Sequence, residues 1–280
     1  MNRRVFIKKS LGTAMGVGAH TACFASEADG FVSLFNGGDL SGWEHAQGDS
    51  ISKNYRGGQW FVEDGAICGA QLEDGLGSFL RTQESYEDFE LLIDVNPSWG
   101  CDSGIWLRTN ERGQSFQVFL DYLNNGNVGF AFGQGSGGWI SMPWILKPVE
   151  AGGEVVGVKA VDSYDGVAID GLRYSAPAGD FNAVWKHGSF NSCKIRCVGQ
   201  HLQVTTWING VKMMEFDANT FRGRKLGAMR KQNWDAPSAF DKEKFYRMTQ
   251  GTGNIALQVH PGKQRWAGVS RFKNIKVRRL

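Results

Sequence analysis

The sequence has few prolines and no long apolar run. Only 6 of its 280 residues are proline and 38 are glycine, a balance that indicates many turns between short strands. The uncharged stretch Ser10–Ala25 is too short and too rich in glycine to span a bilayer, and no other candidate occurs. We therefore expect no membrane span.

An excess of basic charge is also missing once the first 25 residues are set aside. Those residues contain Arg3, Arg4, Lys8 and Lys9 and no acidic residue. The remainder has 27 basic residues (31 less 4) against 28 acidic ones, a net charge of −1. This balance argues against a nucleic-acid partner and favours a neutral ligand.

No cysteine pair has the Cys-x-x-Cys spacing of a zinc site. Four cysteines follow residue 25, namely Cys68, Cys101, Cys193 and Cys197. Cys193 and Cys197 lie in one predicted strand with Cα atoms about 13 Å apart, too far for a disulfide. An exported protein can form disulfides, and the sequence leaves the three pairings of four cysteines open.

The common catalytic spacings are absent as well. There is no Glu-x-Asp-x-x-Glu cluster of jelly-roll glucanases, no Gly-x-Ser-x-Gly elbow and no His-Glu-x-x-His helix. The glycine-rich run Gly133–Gly138 lacks the Lys-Ser/Thr ending of a phosphate loop. It predicts a β-hairpin or a loop at the rim of a sheet.

The N-terminus carries a twin-arginine export signature. Residues Asn2–Lys8 read NRRVFIK, and the weakly apolar stretch Ser10–Ala25 follows without an acidic residue. We expect residues 1–25 to be a signal peptide cleaved after Ala25. A lipidated Cys23 is the alternative, disfavoured by His20 where an aliphatic residue is usual. Since this route carries folded proteins, the protein is expected to act in the periplasm or outside the cell.

Residues 26–280 predict a single all-β domain, an antiparallel β-sandwich of the jelly-roll type. Apolar and polar residues alternate over several short runs, which is typical of strands with one buried face. Asn209-Gly210 predicts a hairpin turn. Lys147–Asp180 and Lys212–Gly253 predict two long loop excursions, the second with a short helix capped by Ser238.

Three of the predicted strands place an unusual polar set on one face. If they share a sheet, this surface suits a polyhydroxylated ligand. The alternative is an ordinary solvent-exposed face with an Arg108–Asp121 ion pair worth under about 1 kcal/mol. The residues of this predicted face are Trp106, Arg108, Gln117, Asp121, Gln258 and His260.

Seven short motifs follow one another from residue 30 to residue 280. They are GFVSLFNGGDLSGWE at 30–44, WFVEDGAICG at 60–69, YEDFELLIDVN at 86–96, DSGIWLR at 102–108, FQVFLD at 116–121, NIALQVHPG at 254–262 and RFKNIKVRRL at 271–280. Each motif alone is weak, but their order is specific. In this order they resemble the bacterial 3-keto-disaccharide hydrolase family.

The resemblance implies a concanavalin- or glucanase-like jelly roll and a reaction on sugars already oxidised at C3. A base removes the C2 proton, the C1 substituent leaves, and water adding back gives net hydrolysis. A partner oxidoreductase that oxidises C3 is implied too. Two positions depart from the family, which often has Asn at Asp102 and Glu at Gln117.

Strand parity and the resemblance together suggest roles. Asp121 and His260 are expected to act as base and acid in an order left open, with Arg108, aided by Gln117, stabilising the oxyanion. The sequence points to no definite cofactor, and a divalent metal held by His260 with Asp121 or Asp102 is an alternative to Arg108 as the group that stabilises the enolate. The residues expected to bind the sugar are Gln117, Gln134, Gln258, Trp139, Asp102 and Trp106.

Three other functions fit the same sequence. A non-catalytic carbohydrate-binding module would use the same polar face and tryptophans. A conventional jelly-roll glucanase is disfavoured by the missing carboxylate cluster. A structural or adhesion domain is disfavoured by the asymmetric polar face.

Overall fold

Two antiparallel β-sheets pack face to face in the described part of this protein. The structure is a computed structural model, which describes residues 29–46, 53–134, 138–139, 142–162, 171–220, 247, 251–262 and 268–280. Within these ranges one sheet has nine strands, the other has seven, and a ribbon has two. The prediction of an antiparallel β-sandwich is confirmed.

The nine-stranded sheet, called the back sheet here, has the order β13-β16-β15-β14-β6-β18-β4-β3, with β1 paired to β18, over the described ranges. Its strands are β1 (Val32–Ser33), β3 (Gln59–Glu63), β4 (Ala66–Ala70), β6 (Phe89–Pro97), β13 (Leu172–Ser175), β14 (Asn191–Val198), β15 (Gln203–Ile208), β16 (Val211–Asp217) and β18 (Val269–Arg279).

The seven-stranded sheet, called the front sheet, has the order β10-β9-β8-β7-β17-β5-β2 in the same ranges. Its strands are β2 (Trp43–His45), β5 (Ser78–Tyr86), β7 (Ser103–Thr109), β8 (Ser115–Leu120), β9 (Val128–Gln134), β10 (Gly138–Trp139) and β17 (Gly253–Val259). Strands β11 (Trp144–Ala151) and β12 (Glu154–Asp162) form the ribbon, and the helix α1 spans Ala178–Val184.

The core lies between the inner faces of the two sheets. Leu91 and Ile93 of β6 and Ile105 and Leu257 of the front sheet are at most 1% exposed. Burying each such side chain stabilises the fold by about 1.5–3 kcal/mol. Strict alternation along β6 therefore decides which of its faces turns inward.

The turn at Asn209-Gly210 joins β15 to β16. Both residues have positive φ, 48° and 84°, as a type I′ hairpin requires. The hairpin prediction is confirmed.

The excursion predicted over Lys147–Asp180 is more regular than expected. It contains most of the β11–β12 ribbon, all of β13 and the start of α1. Asn182 ties α1 to the ribbon, since its side-chain amide donates to the Ala160 carbonyl and accepts from the Ala160 N–H. The alternation of apolar and polar residues does not predict this ribbon, because Pro148 lies within β11 and a glycine-rich turn joins β11 to β12.

The second excursion, Lys212–Gly253, begins as the regular strand β16. The helix predicted after Ser238 lies outside the described residues, as does the proposed signal peptide at 1–25. In the part of the chain that the structure describes, no helix is both long and apolar enough to cross a membrane.

All four cysteines in the described ranges are buried free thiols. Cys193 and Cys197 both point inward from β14 and do not bond each other, as their spacing predicted. Burial raises the pKa of each of these two thiols to about 12. Burial likewise raises the pKa of Cys101, to about 11.

Candidate active site

Strands β8, β7 and β17 are adjacent in the front sheet, as the polar-face hypothesis requires. Trp106 pairs with Gln117 on one side and with Ala256 on the other, and Gly104 pairs with Gln258. Cross-strand partners project to the same side of a sheet. These residues therefore share the face that points away from the core, called the polar face below.

Three ionisable side chains lie in a row where these strands end. Gly104 pairs with Phe119 and Cys101 with Tyr122 in one continuous register, which sets Asp102 opposite Asp121. On the other side the His260 N–H donates to the Asp102 carbonyl oxygen at 3.3 Å. Directly opposed residues have Cβ atoms about 5 Å apart. We call Asp121, Asp102 and His260 the strand-end row.

The members of this row differ in exposure. Asp121 is only 8% exposed, whereas Asp102 and His260 are half-buried. The shielded carboxyl of Asp121 and the accessible imidazole of His260 lie two strand spacings, about 10 Å, apart on one face. A carboxyl group and an imidazole are groups that serve in acid–base catalysis.

The imidazole of His260 has a defined orientation. Its Nδ1 lies 2.8 Å from the Pro261 carbonyl oxygen, which can only accept a hydrogen bond. In the neutral ring Nδ1 therefore carries the proton, and Nε2 is the basic nitrogen. Neutral His260 is thus set up as a base through Nε2.

A chain of side-chain amides crosses the polar face. Nε2 of Gln117 donates to the Ser103 carbonyl at 3.1 Å and to Oε1 of Gln258 at 2.8 Å. Nε2 of Gln258 then donates to the hydroxyl of Tyr55 at 3.0 Å. Gln117 and Gln258 are 3% and 1% exposed, so this is not an ordinary solvent-exposed face.

Aromatic rings form the floor beside these amides. Tyr55 stacks on Phe79 with ring centroids 4.4 Å apart, and Phe79 meets Trp106 edge-on at 5.4 Å. Trp106 is completely buried. The expectation that Trp106 contacts the sugar is therefore corrected: it supports Phe79 from beneath.

Arg108 does not lie on the polar face. Asn254 pairs with Thr109 but Ala256 pairs with Trp106, so β7 carries one extra residue here. Arg108 takes up this β-bulge with a φ of +52°, a left-handed conformation. A Cβ on the neighbouring Gly253 would lie 2.4 Å from the Arg108 carbonyl carbon, so the bulge needs glycine at 253.

The bulge directs the Arg108 side chain to two turns at the far end of the sandwich. Its guanidinium donates to the carbonyls of Glu87 and Gly199 and to the carboxylate of Asp88. Asp102 immediately precedes β7, and Arg108 follows it by six residues, or about 20 Å along the strand direction. The expected oxyanion role of Arg108 and the alternative Arg108–Asp121 ion pair are both corrected.

The remaining two candidates lie on the edge of the front sheet. Gln134 ends β9 and Trp139 belongs to β10, and these strands form the hairpin predicted for the glycine-rich run. The side chains of Gln134 and Trp139 lie outside the described part of the structure.

No group of three or more His, Cys, Asp or Glu side chains is placed to hold a metal ion among the described residues. The two-residue set considered from sequence, His260 with Asp121 or Asp102, therefore gains no third ligand of these types in those ranges.

Comparison with known proteins agrees with this architecture. The model of the family described as the 3-keto-alpha-glucoside-1,2-lyase-like domain matches residues 30–278, which includes every strand of both sheets except the last residue of β18. The chain belongs to this family.

Individual relatives of this lyase-like domain are distant. A curated 3-keto-disaccharide hydrolase from Bacteroides thetaiotaomicron is 30% identical over 90 residues, which are 30% of this chain and 29% of that protein. The chain thus matches less than a third of the length of that relative.

Solved structures resemble the lyase-like domain only loosely. One described as a candidate glycosyl hydrolase from Parabacteroides distasonis is 21% identical, with 89% of this chain and 99% of that one covered, at a TM-score of 0.49. A carbohydrate-binding module from Bacillus subtilis is 11% identical, with 85% and 95% covered, at a TM-score of 0.41. These likenesses add nothing to the family assignment.

The two positions at which the resemblance implies a departure from the family, 102 and 117, both belong to the site. The amide at Gln117 donates to both Ser103 and Gln258, which a carboxylate at this position could not do. The carboxylate at Asp102 faces Asp121 in the strand-end row. Gln117 therefore builds the amide chain, and Asp102 adds a carboxylate to the row.

Sequence reasoning missed three residues of the site. Tyr55 ends a short 3₁₀ turn, Lys53–Tyr55, whose position on the polar face no periodicity indicates. Phe79 lies in β5, next to β17. Of these three residues only Gly104 could have been noticed in the sequence, since a glycine inside a strand often marks a close approach of another group.

Proposed function

We propose that this chain is an exported carbohydrate-active enzyme that cleaves 3-keto-glycosides by removing the C2 proton and eliminating the C1 substituent. The match to the lyase-like family over residues 30–278 supports the reaction class. The observation that carries the chemistry is the strand-end row of Asp121, Asp102 and His260 beside the polar face. The curated relative's name, 3-keto-disaccharide hydrolase, supports the substrate class.

The reaction follows from the acidity that a C3 ketone gives to the C2 proton. A base takes this proton, and its electron pair forms an enolate with negative charge on the C3 oxygen. The enolate then expels the C1 oxygen, which takes a proton as it leaves. The products are a 1,2-unsaturated 3-keto sugar and the free alcohol, and water adding across the new double bond gives net hydrolysis.

Two members of the row take the proton-transfer roles. His260 removes the C2 proton through Nε2, because Nδ1 is held by Pro261. Asp121, the most buried member, protonates the leaving oxygen. Asp102 faces both and binds the sugar, with Gln258 next to His260 on the same face.

The test uses the purified protein from residue 26 onward in heavy water with a 3-keto-glucoside that carries a chromogenic aglycone. We expect aglycone release with loss of the C2 hydrogen, and deuterium at C2 of the sugar once water has added across the double bond. Changing Asp121→Asn or His260→Ala should reduce kcat by about 10²–10⁴-fold, the usual contribution of a positioned acid or base. The unoxidised glucoside should not react.

Matched controls separate these roles from general damage. His45→Ala and Asp29→Asn alter exposed residues away from the row and should leave kcat unchanged. If both active-site variants retain wild-type turnover, the assignment is wrong. If the wild-type protein binds glycans but releases no aglycone, the chain is a carbohydrate-binding module instead.

The cellular setting is part of the proposal. We propose export by the twin-arginine route, which the motif at Arg3-Arg4 supports. Replacing both arginines by lysine should retain the protein in the cytoplasm, and N-terminal sequencing of the exported form should begin at Ser26. A reaction that oxidises C3 of the sugar must supply the substrate.

A further inference from the structure

We propose that Tyr55 is a further catalytic residue, whose hydroxyl donates a hydrogen bond to the C3 oxygen of the substrate as negative charge develops there. This inference rests on the proposed function and assigns the oxyanion role that Arg108 cannot fill. Four features of the described residues lead to it.

The ring of Tyr55 is held firmly on the polar face. It is 7% exposed, stacks on Phe79 at 4.4 Å with an interplanar angle of 18°, and meets His260 edge-on at 6.2 Å. A stacked and buried ring leaves its hydroxyl little freedom of position. An oxyanion donor needs this, because preorganisation is the source of its effect.

The amide chain fixes the direction of hydrogen bonding at the Tyr55 oxygen. Gln117 uses its two Nε2 hydrogens on the Ser103 carbonyl and on Oε1 of Gln258. Gln258 must therefore present its own Nε2 to Tyr55, so the Tyr55 oxygen accepts this bond at 3.0 Å. The Tyr55 O–H then points away from Gln258.

An accepted hydrogen bond also makes the Tyr55 O–H a stronger donor. Hydrogen bonds in a chain polarise one another, and the effect is largest where water is excluded. Gln117 and Gln258 are both almost fully buried. The amide chain therefore makes the Tyr55 O–H a stronger hydrogen-bond donor without placing a formal charge beside His260, the base.

The distance between Tyr55 and His260 suits the reaction. The atoms they would serve, the C3 oxygen and the C2 proton, are on adjacent carbons of one sugar ring. The two rings meet edge-on at 6.2 Å, and His260 follows Gln258 by two residues on the same face. Because the two rings are in contact, a substrate lying across both would bring its C3 oxygen to the hydroxyl and its C2 proton to Nε2.

The step is balanced without another reactant. The C2 proton moves to Nε2 of His260, and the electron pair of the C2–H bond becomes the enolate. Tyr55 keeps its own proton and only donates a hydrogen bond to the C3 oxygen. Asp121 gives a proton to the leaving oxygen and regains one from His260 before the next turnover.

The experiment measures C2 deuterium exchange on a 3-keto sugar that has hydrogen instead of a leaving group at C1. This exchange needs the base and the oxyanion donor but not the leaving-group acid. Tyr55→Phe keeps the stacked ring and should slow both exchange and aglycone release by about 10²-fold, the usual effect of one oxyanion donor. Asp121→Asn should slow release yet retain exchange, and Tyr174→Phe, an exposed tyrosine, should change neither.

A second variant tests the role of the amide chain with little change in side-chain shape. Gln258→Glu replaces the donor to Tyr55 by an acceptor, which turns the Tyr55 O–H away from the substrate. It should slow exchange as Tyr55→Phe does, while KM changes by less than about threefold. This variant also decides the question if Tyr55→Phe proves too unstable to assay.

The outcomes separate the two proposals. Exchange at the wild-type rate in Tyr55→Phe or Gln258→Glu, in an active protein, would overturn the role of Tyr55 and leave the proposed function standing. A wild-type protein that neither exchanges C2 nor releases the aglycone would overturn the proposed function and this inference together.

Discussion

Gly104 leaves the space that the side chain of Gln117 occupies. A Cβ on Gly104 would lie 1.9 Å from Nε2 of Gln117, and Gln117 crosses this gap to reach Gln258. Because Gly104 has no side chain, the amides of Gln117 and Gln258, on the two strands that flank β7, can meet across it.

Gly104→Ala should break this contact. The added methyl group displaces the Gln117 amide, so its hydrogen bond to Gln258 is lost. Gln258 then no longer holds the Tyr55 hydroxyl in its orientation. We expect kcat to fall by about tenfold or more, with unfolding free energy lowered by about 1–3 kcal/mol from overpacking. Steady-state kinetics and urea unfolding measure the two effects. Gly179→Ala, where a Cβ meets nothing within 4 Å, is the control and should retain both properties.

Arg108→Met should affect stability and not chemistry. The guanidinium is buried and satisfies two backbone carbonyls and Asp88, so its loss should lower the unfolding free energy by about 3 kcal/mol. Because the side chain points away from the strand-end row, kcat of the folded protein should stay within about threefold of wild type. A large fall in kcat at unchanged stability would restore Arg108 to the site.

Glu90 should make stability depend on pH. Burial alone would raise the pKa of this carboxyl, but hydrogen bonds and charge from Lys194 and Arg278 outweigh it and hold the pKa below its ordinary value. A lowered folded-state pKa means that the stabilisation is complete above the unfolded pKa and is lost as pH falls through the folded value.

Glu90→Gln should therefore cost about 1–2 kcal/mol at pH 7 and progressively less as the pH falls towards 3. Urea unfolding at several pH values measures the difference. Glu84→Gln removes an exposed pair with Arg279 and should cost under about 0.5 kcal/mol at every pH. If Glu90→Gln lowers the unfolding free energy by the same amount at every pH, the lowered pKa of Glu90 would be contradicted.

The four thiols should be inert in the folded protein. Cys68, Cys101, Cys193 and Cys197 are buried, and desolvation raises the pKa of each, so thiolate is scarce at pH 8. A thiol reagent should label the protein from residue 26 onward only after unfolding in guanidinium, and reductant should leave Tm unchanged. A mass lower by 2 Da per bond before reduction would reveal disulfides instead.

Alternation and register explain what could be predicted of the site. Asp121, Gln258 and His260 were placed correctly on one sheet face because side chains in a strand follow a period of two and neighbouring strands keep their register. The same rule failed at Arg108, because the bulge adds one residue to β7 and changes which sheet face the following side chains point to. A non-glycine residue with positive φ gives no signal in one sequence.

Tyr55 could not be predicted by the same reasoning. It lies in a short 3₁₀ turn, and its approach to Gln258 joins residues separated by 203 positions. Only the tertiary structure brings such residues together. The ribbon of β11 and β12 was missed for a local reason, because Pro148 and two consecutive glycines resemble a loop.

The bulge at Arg108 also fastens the molecule mechanically. Arg108 belongs to the front sheet, while its partners lie in the turn that crosses between the sheets after β5 and in the β14–β15 turn of the back sheet. The Arg108 side chain thus links the two sheets at the end of the sandwich that lies about 20 Å from the strand-end row. If the two sheets separate during fluctuations, they should therefore part first at the end that carries the strand-end row and last at Arg108.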